Sequence, residues 1–308
     1  MQKESRFRGS LLGLAVGDCL GVPAEFLPLG SFPLISDMTG GGPFHLEKGE
    51  WTDDTSMALC LAESLIACRD FQLKDQIDRY VRWYQKGENS SKGVCFDIGT
   101  TVSGALERYM KTGNPLSGSE DPATAGNGSV MRLAPVPLVW SYNRKEAAEY
   151  SGESSRTTHQ AVEAVDGCRF YGMLIAGAVQ GCSKEELLSF PFVEGLSLSP
   201  RINDIAKGSY KHKQPPEIKG TGYVVDSIEA AFWAFYHGRD FSEGLLLAVN
   251  LGNDADTTGA IYGQLAGTYY GYEAIPAHWI DALVDKERID QMAKDLYDVH
   301  LILSAEIE

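Results

Sequence analysis

Apolar residues recur at helical spacing along most of this sequence, and almost nowhere do they alternate as a half-buried strand requires. In 73-LKDQIDRYVRWYQKG-87, Ile77, Tyr80, Val81 and Tyr84 mark one face, and Gly87 supplies a stop. In 97-DIGTTVSGALERYMKTG-113 the same role falls to Ile98, Val102, Leu106, Tyr109 and Met110 before Gly113, with Asp97 expected to open the helix. Segments 55–68, 160–180, 226–238, 256–270 and 286–304 also read as helices, the last through the stripe Ile289, Met292, Leu296 and His300. The most strand-like run is 135-PVPLVW-140, and its two prolines weaken it. The expected fold class is therefore all-α: one compact multi-helix domain over residues 1–308, with Gly-rich loops at the helix ends. Segment 182–222 is the most irregular and is expected to be a surface insertion. No flexible linker, low-complexity run or solenoid repeat divides the chain.

Composition narrows the classes of function. With 308 residues, of which 44% are hydrophobic, the chain can build a sizeable core. A net charge of −15 argues against a phosphate-tracking nucleic-acid binder and against docking on anionic membranes. The six cysteines (Cys19, Cys60, Cys68, Cys95, Cys168 and Cys182) form no CxxC pair and suggest neither zinc nor a disulfide framework. Cys19, Cys60 and Cys168 have the apolar neighbours of buried thiols. The N-terminus lacks a convincing secretion signal, and no uninterrupted apolar run reaches the roughly 20 residues of a membrane span. A cytoplasmic monomer is the expectation.

Within this apolar background, 250-NLGNDADTTGAIYGQLAG-267 carries two carboxylates, Asp254 and Asp256, among small and apolar residues. A distant counterpart, 49-GEWTDDTSMALCLAESL-65, places Thr52, Asp53, Asp54 and Thr55 ahead of another helical pattern. Helix capping explains either motif alone, since Asp and Thr accept the orphan N–H groups of a first turn. A cap needs one oxygen, however, and each motif offers two carboxylates with threonine hydroxyls beside them. No Lys or Arg occurs between Arg239 and Lys286, so the second cluster lacks a local counter-charge, although a distant Arg folding in is an alternative. Buried charges are paired or bind metal. Hard oxygen donors suit Mg²⁺ or Mn²⁺ rather than zinc, and two converging clusters suit two ions about 3.5–4 Å apart.

Three further segments have the form of ligand-binding loops. In 17-GDCLGVPAEF-26, Asp18 and Glu25 flank a Gly-Pro loop after an apolar helix. In 93-GVCFDIGTT-101, Gly99 would let a ligand approach a first helical turn. In 126-GNGSVMRLAPV-136, Gly126, Asn127, Gly128 and Ser129 offer backbone N–H groups to phosphate. Taken singly, each also reads as a turn or cap, and His159 in 156-RTTHQAV-162 also reads as a core histidine.

Together and in this order, LGLAVGDCLGVPAEF, WTDDTSMAL, FDIGTTV, AGNGSVMRLAPV, THQAVEA, GTGYVVDSIEAAFWAF and GNDADTTGAIYGQLAG resemble the ADP-ribosylglycohydrolase family, from Leu12 to Gly267. The resemblance implies an all-α fold and a site for two divalent cations, Mg²⁺ or Mn²⁺. It implies Thr52, Asp53, Asp54, Asp254, Asp256 and Thr257 as metal ligands, and Glu25 and Asp97 as the catalytic carboxylates. It further implies Asn127, Gly128 and Ser129 as a phosphate loop, and Gly99, His159 and Tyr223 as ligand contacts. One departure is Asn253, where many relatives have glycine; Asn tolerates the left-handed backbone that Gly favours. The implied activity is removal of ADP-ribose from a modified protein, with arginine as the acceptor. The alternatives are an ADP-ribosyl-serine or small ADP-ribose-conjugate hydrolase, a phosphoester hydrolase, and a non-catalytic ADP-ribose binder. No nucleic-acid or membrane partner is expected.

Overall fold

The computed structural model describes residues 2–306 and places fourteen α-helices among them. The first seven are α1 (Lys3–Gly21), α2 (Asp53–Cys68), α3 (Leu73–Lys86), α4 (Thr100–Thr112), α5 (Pro135–Val139), α6 (Arg144–Ser155) and α7 (Val162–Val179). Then come α8 (Lys184–Leu187), α9 (Pro200–Ala206), α10 (Val224–His237), α11 (Phe241–Val249), α12 (Ala255–Tyr270), α13 (Ala277–Ala282) and α14 (Lys286–Ala305). Only isolated β-bridges occur among the described residues, and no helix there is long and apolar enough to cross a membrane.

The surface helices form where the spacing of apolar residues predicts. On α3, Ile77, Tyr80 and Trp83 are fully buried while Lys74 and Asp78 pair outside, and the helix stops at Gly87 with φ +69°. Gly113 ends α4 in the same left-handed way, at φ +70°. These are the positions where a side chain would be strained and glycine is not. On α14 the expected stripe, Ile289, Met292, Leu296 and His300, is buried.

At the centre lies α1, in which every residue from Gly9 to Gly21 is buried. A helix without a polar face belongs in a core. Its partner is α12, running antiparallel to it, and the two touch along backbone rather than side chains. Gly9, Gly13 and Gly17 oppose Gly267, Gly263 and Gly259, and Gly21 opposes Ala255. A Cβ built on Gly13 would lie 2.5 Å from the Gly263 carbonyl oxygen. Helices α2, α14, α11, α7 and α10 pack around this pair.

One weak strand candidate resolves as a helix, and two expectations need correction. Residues 135–139 form a short buried helix rather than a strand, because Pro135 and Pro137 fall in its first turn, where no intrahelical N–H bond is lost. Segment 182–222 is no detached insertion. It contains α8 and α9, and Ile202, Ile205, Tyr210 and Ile218 are buried in the common core. Asp97 does not open a helix: it has φ +58° in the loop, and α4 begins at Thr100.

Candidate active site

The seam between α1 and α12 brings the C-terminal end of one helix beside the N-terminal end of the other. Asp18 lies one residue beyond Gly17, and Asp256 follows the Ala255 that faces Gly21. The N-terminus of α2 closes the third side. Asp18 is fully buried and holds this helix start: it accepts from the backbone N–H of Thr52 at 3.1 Å and of Thr55 at 3.1 Å. It also accepts from the hydroxyls of Thr52, at 3.0 Å, and Thr55, at 2.6 Å. The capping that the sequence offered for the WTDDT aspartates is thus supplied from α1, which leaves Asp53 and Asp54 free of that duty. Asp254 does not cap α12 either; its Oδ2 accepts from Asn127 Nδ2 at 2.6 Å.

The freed carboxylates converge. Oxygens of Asp18, Asp54 and Asp256 lie within 4.8 Å of one another, and so do oxygens of Glu25, Asp97 and Asp256. Asp256 belongs to both groups. The Thr52 hydroxyl lies 3.1 Å from Asp54 Oδ2 and 3.5 Å from Asp256 Oδ2, and the Thr257 hydroxyl lies 3.3 Å from Asp54 Oδ2. Three carboxylate oxygens, Glu25 Oε2, Asp54 Oδ1 and Asp256 Oδ1, are buried with no hydrogen-bond partner. Among the described residues no cation offsets this charge: the charged groups that act most strongly on Glu25, Asp53, Asp54 and Asp256 are other carboxylates.

Burial is the first cause of the resulting shifts, and repulsion the second. The Glu25 carboxyl is pushed up to about 9 by burial and then by Asp97. Asp97 is raised to about 8 by burial and then by Asp18. Asp53, Asp54 and Asp256 also lie well above the usual carboxylate range. Asp18 reaches only about 6, because four hydrogen bonds from Thr52 and Thr55 offset its burial. Orphaned, mutually repelling oxygens of this hardness are a donor set for divalent cations. The acidic clusters fit metal ions.

Above the carboxylates opens a cavity of about 630 Å³. Glu25, Asp53, Asp97, Gly99, Asn127, Gly128, His159, Asp254, Asp256 and Thr257 all line it. Thr52 and Asp54 sit just beneath, fully buried. Gly99 precedes the first turn of α4 with open space where a Cβ would be, so a ligand can approach that helix end. Three non-glycine residues around the cavity, Phe26, Asp97 and Asn253, adopt left-handed backbone. Phe26 donates its N–H to the Asn253 carbonyl at 2.5 Å, and Asn253 donates to Leu27 at 2.7 Å, which ties the Glu25 loop to the start of α12.

Two of the expected residues, Ser129 and Tyr223, turn their side chains away from the cavity. The Ser129 hydroxyl turns into the core, where it accepts from Ser155 Oγ at 2.8 Å. The Tyr223 phenol donates to Glu163, while its backbone bridges to Gly126. Asp18 is the reverse case. The sequence marked it only as flanking a loop, although it is the one charge in the apolar, glycine-spaced stretch Gly9–Gly21.

The family model for ADP-ribosylglycohydrolase matches residues 1–302. An ADP-ribosylarginine hydrolase, Tri1, of Serratia proteamaculans is 45% identical over 94% of this chain and 78% of its own. The Tri1 of Pseudomonas putida is 43% identical over 96% and 79%. A solved structure described as an ADP-ribosylglycohydrolase-related protein complex superposes with a TM-score of 0.87 at 46% identity, covering 97% of this chain and 99% of that one. On this match of sequence, fold and acidic clusters, the chain belongs to the ADP-ribosylglycohydrolase family.

Proposed function

We propose that this protein hydrolyses the bond between ADP-ribose and an arginine side chain of a modified protein, with two divalent cations, Mg²⁺ or Mn²⁺, as cofactors. The observation that carries this reading is the pair of carboxylate groups sharing Asp256 at the floor of the cavity, with three oxygens left unpartnered. The arginine acceptor is supported by two relatives at 45% and 43% identity that are named ADP-ribosylarginine hydrolases.

Thr52, Asp53, Asp54, Asp254, Asp256 and Thr257 would hold the ions, with Asp18 bracing Thr52 from behind. When bound, the ions supply Lewis acidity to the ribose hydroxyls and water above the floor. Gly99 with the start of α4, and the backbone N–H groups of Gly128 and Ser129, receive the diphosphate, while those of Gly126 and Asn127 are already donated to Thr124 and Gly222. Glu25 and Asp97, beside Asp256 on the cavity floor, handle protons. The bond from the anomeric carbon to the guanidine nitrogen breaks as a water oxygen bonds that carbon, through an oxocarbenium-like state. One carboxyl delivers a proton to the departing nitrogen, and the other takes one from the water. Two carboxyls this close favour a singly protonated pair, which is the state such an exchange requires.

Release of ADP-ribose from arginine-modified and serine-modified proteins, measured with and without Mg²⁺ or Mn²⁺, tests the proposal. Metal-dependent release from arginine is the expected result. Release from serine alone would overturn the acceptor, and activity surviving in the Asp54→Ala/Asp256→Ala double variant would overturn the metal site. Binding of ADP-ribose with no release under any metal would identify a non-catalytic binder.

A further inference from the structure

His159 borders the Gly126–Gly128 loop: a Cβ on either glycine would lie 3.3 Å from its Nε2. The ring lines the cavity, yet the residue is only 2% exposed. Which nitrogen carries the proton decides whether the ring offers a donor or an acceptor to an occupant. The answer lies behind the ring. Nδ1 is 2.9 Å from the Thr158 hydroxyl, and that same oxygen receives Nη2 of Arg132 at 2.8 Å. Arg132 is 1% exposed, and none of its partners is anionic. They are the Gly128 carbonyl at 3.1 Å, the Thr157 hydroxyl at 3.2 Å, the Met57 sulfur at 3.7 Å and the face of Tyr80 at 4.3 Å.

A guanidinium only donates, so Thr158 Oγ1 is an acceptor toward Arg132. Its own proton then has His159 Nδ1 as its hydrogen-bond acceptor among the described residues. A proton on Nδ1 would leave the Thr158 hydroxyl proton buried without an acceptor, which is the costly arrangement. We propose that Arg132 is a positioning residue for ligand binding: through Thr158 it fixes His159 as the Nε2–H tautomer, so that the ring presents a donor to an anionic oxygen held beside Gly126–Gly128. The inference rests on the reading of the cavity as an ADP-ribose site. The environment agrees with a neutral ring, since burial and then the Arg132 cation hold His159 down at about 3. The same arginine anchors the loop itself through the Gly128 carbonyl, so donor and loop share one brace.

The test is a ring ¹⁵N–¹H correlation spectrum at pH 7 in Mg²⁺ buffer, with His159 assigned by its loss in His159→Gln, combined with titration of free ADP-ribose. In the unmutated protein Nδ1 is expected bare and Nε2 protonated, with the Nε2–H signal shifting as ADP-ribose binds. Thr158→Val is expected to abolish the preference for Nε2–H and to weaken ADP-ribose binding about tenfold, the loss of one hydrogen bond to a charged group. Thr158→Ser is expected to restore both. Arg132→Met, which leaves the Thr158 hydroxyl free to accept, is expected to populate Nδ1–H. Protonated Nδ1 in the unmutated protein overturns the relay even if a variant fails to fold. Weakened binding in Thr158→Val that serine does not rescue, or an unchanged tautomer in both variants, overturns it as well. Unmutated protein that binds no ADP-ribose overturns instead the functional reading beneath it.

Discussion

Asp54 and Asp256 each keep a carboxylate oxygen buried and unpaired, an arrangement that destabilises the protein unless something binds there. Stability and function should therefore part company at these residues. In metal-free protein, Asp54→Asn or Asp256→Asn removes a buried repelling charge and should raise the melting temperature, by about 2–4 °C for each kcal/mol of relief. The unsubstituted protein should melt higher when Mg²⁺ or Mn²⁺ is added, by ~2.7 kcal/mol at a hundredfold excess over Kd, and either variant should lose that response. Scanning calorimetry of the three proteins with and without metal checks both signs. Asn253 is a different kind of residue, held at φ +57° by its two backbone bonds to Phe26 and Leu27. Asn253→Gly should leave activity and stability nearly unchanged, as the notion of a backbone-driven choice requires. Asn253→Val should cost about 1–2 kcal/mol or more, because a β-branched residue resists that conformation. Chemical denaturation distinguishes the two.

The elements that matter most are α1 and α12, whose glycines meet at Gly13–Gly263 and at the pairs on either side. An alanine there cannot be absorbed by a rotamer change, because its Cβ would meet backbone. Gly17→Ala and Gly263→Ala should each destabilise by at least ~1–3 kcal/mol, the range for overpacking. Gly17→Ala should also cost activity in whatever protein remains folded, since Asp18 is the next residue. Measured kcat in the folded fraction, beside the loss of melting temperature, tests that coupling. Amphipathic helices such as α3 and α14 were legible from spacing alone, because one face of each meets solvent. The central helix was harder to place: with every face buried, periodicity carries no direction, and only the four-residue rhythm of Gly9, Gly13, Gly17 and Gly21 identifies its packing. The helix 135–139 was not read as one, because its prolines argue against a strand without pointing to a helix, although they are welcome in a first turn. For the site, the two aspartate motifs and the Gly-rich loop were visible as local patterns. Asp18 was not, since its importance comes from the threonines that reach it across 34 to 37 residues. Nor could the sequence show that Ser129 and Tyr223 turn their hydroxyls elsewhere.

At the scale of the whole molecule, the site draws on α1, α2, α12 and the loops before α4 and α5, so no piece of the chain shorter than Asp18–Thr257 contains it. A chain ending at Val249 would retain Asp18, Glu25, Asp54 and Asp97 but lack α12, the backbone partner of α1. It should show no cooperative thermal transition by calorimetry, whereas removal of residues beyond Ala305 should leave the transition intact.

The glycine seam also imposes a timetable. Helix α1 leaves the ribosome about 240 residues ahead of the helix that covers it, a delay of roughly 10–50 s at ordinary rates of synthesis. For that interval it is an apolar segment with its close-packing stripe open to any other chain in the cell. A helper that shields nascent helices would therefore act on this protein early and let go late. Enzymatic competence follows the same clock, because the carboxylates of the floor cannot meet until the second strip of glycines has been made.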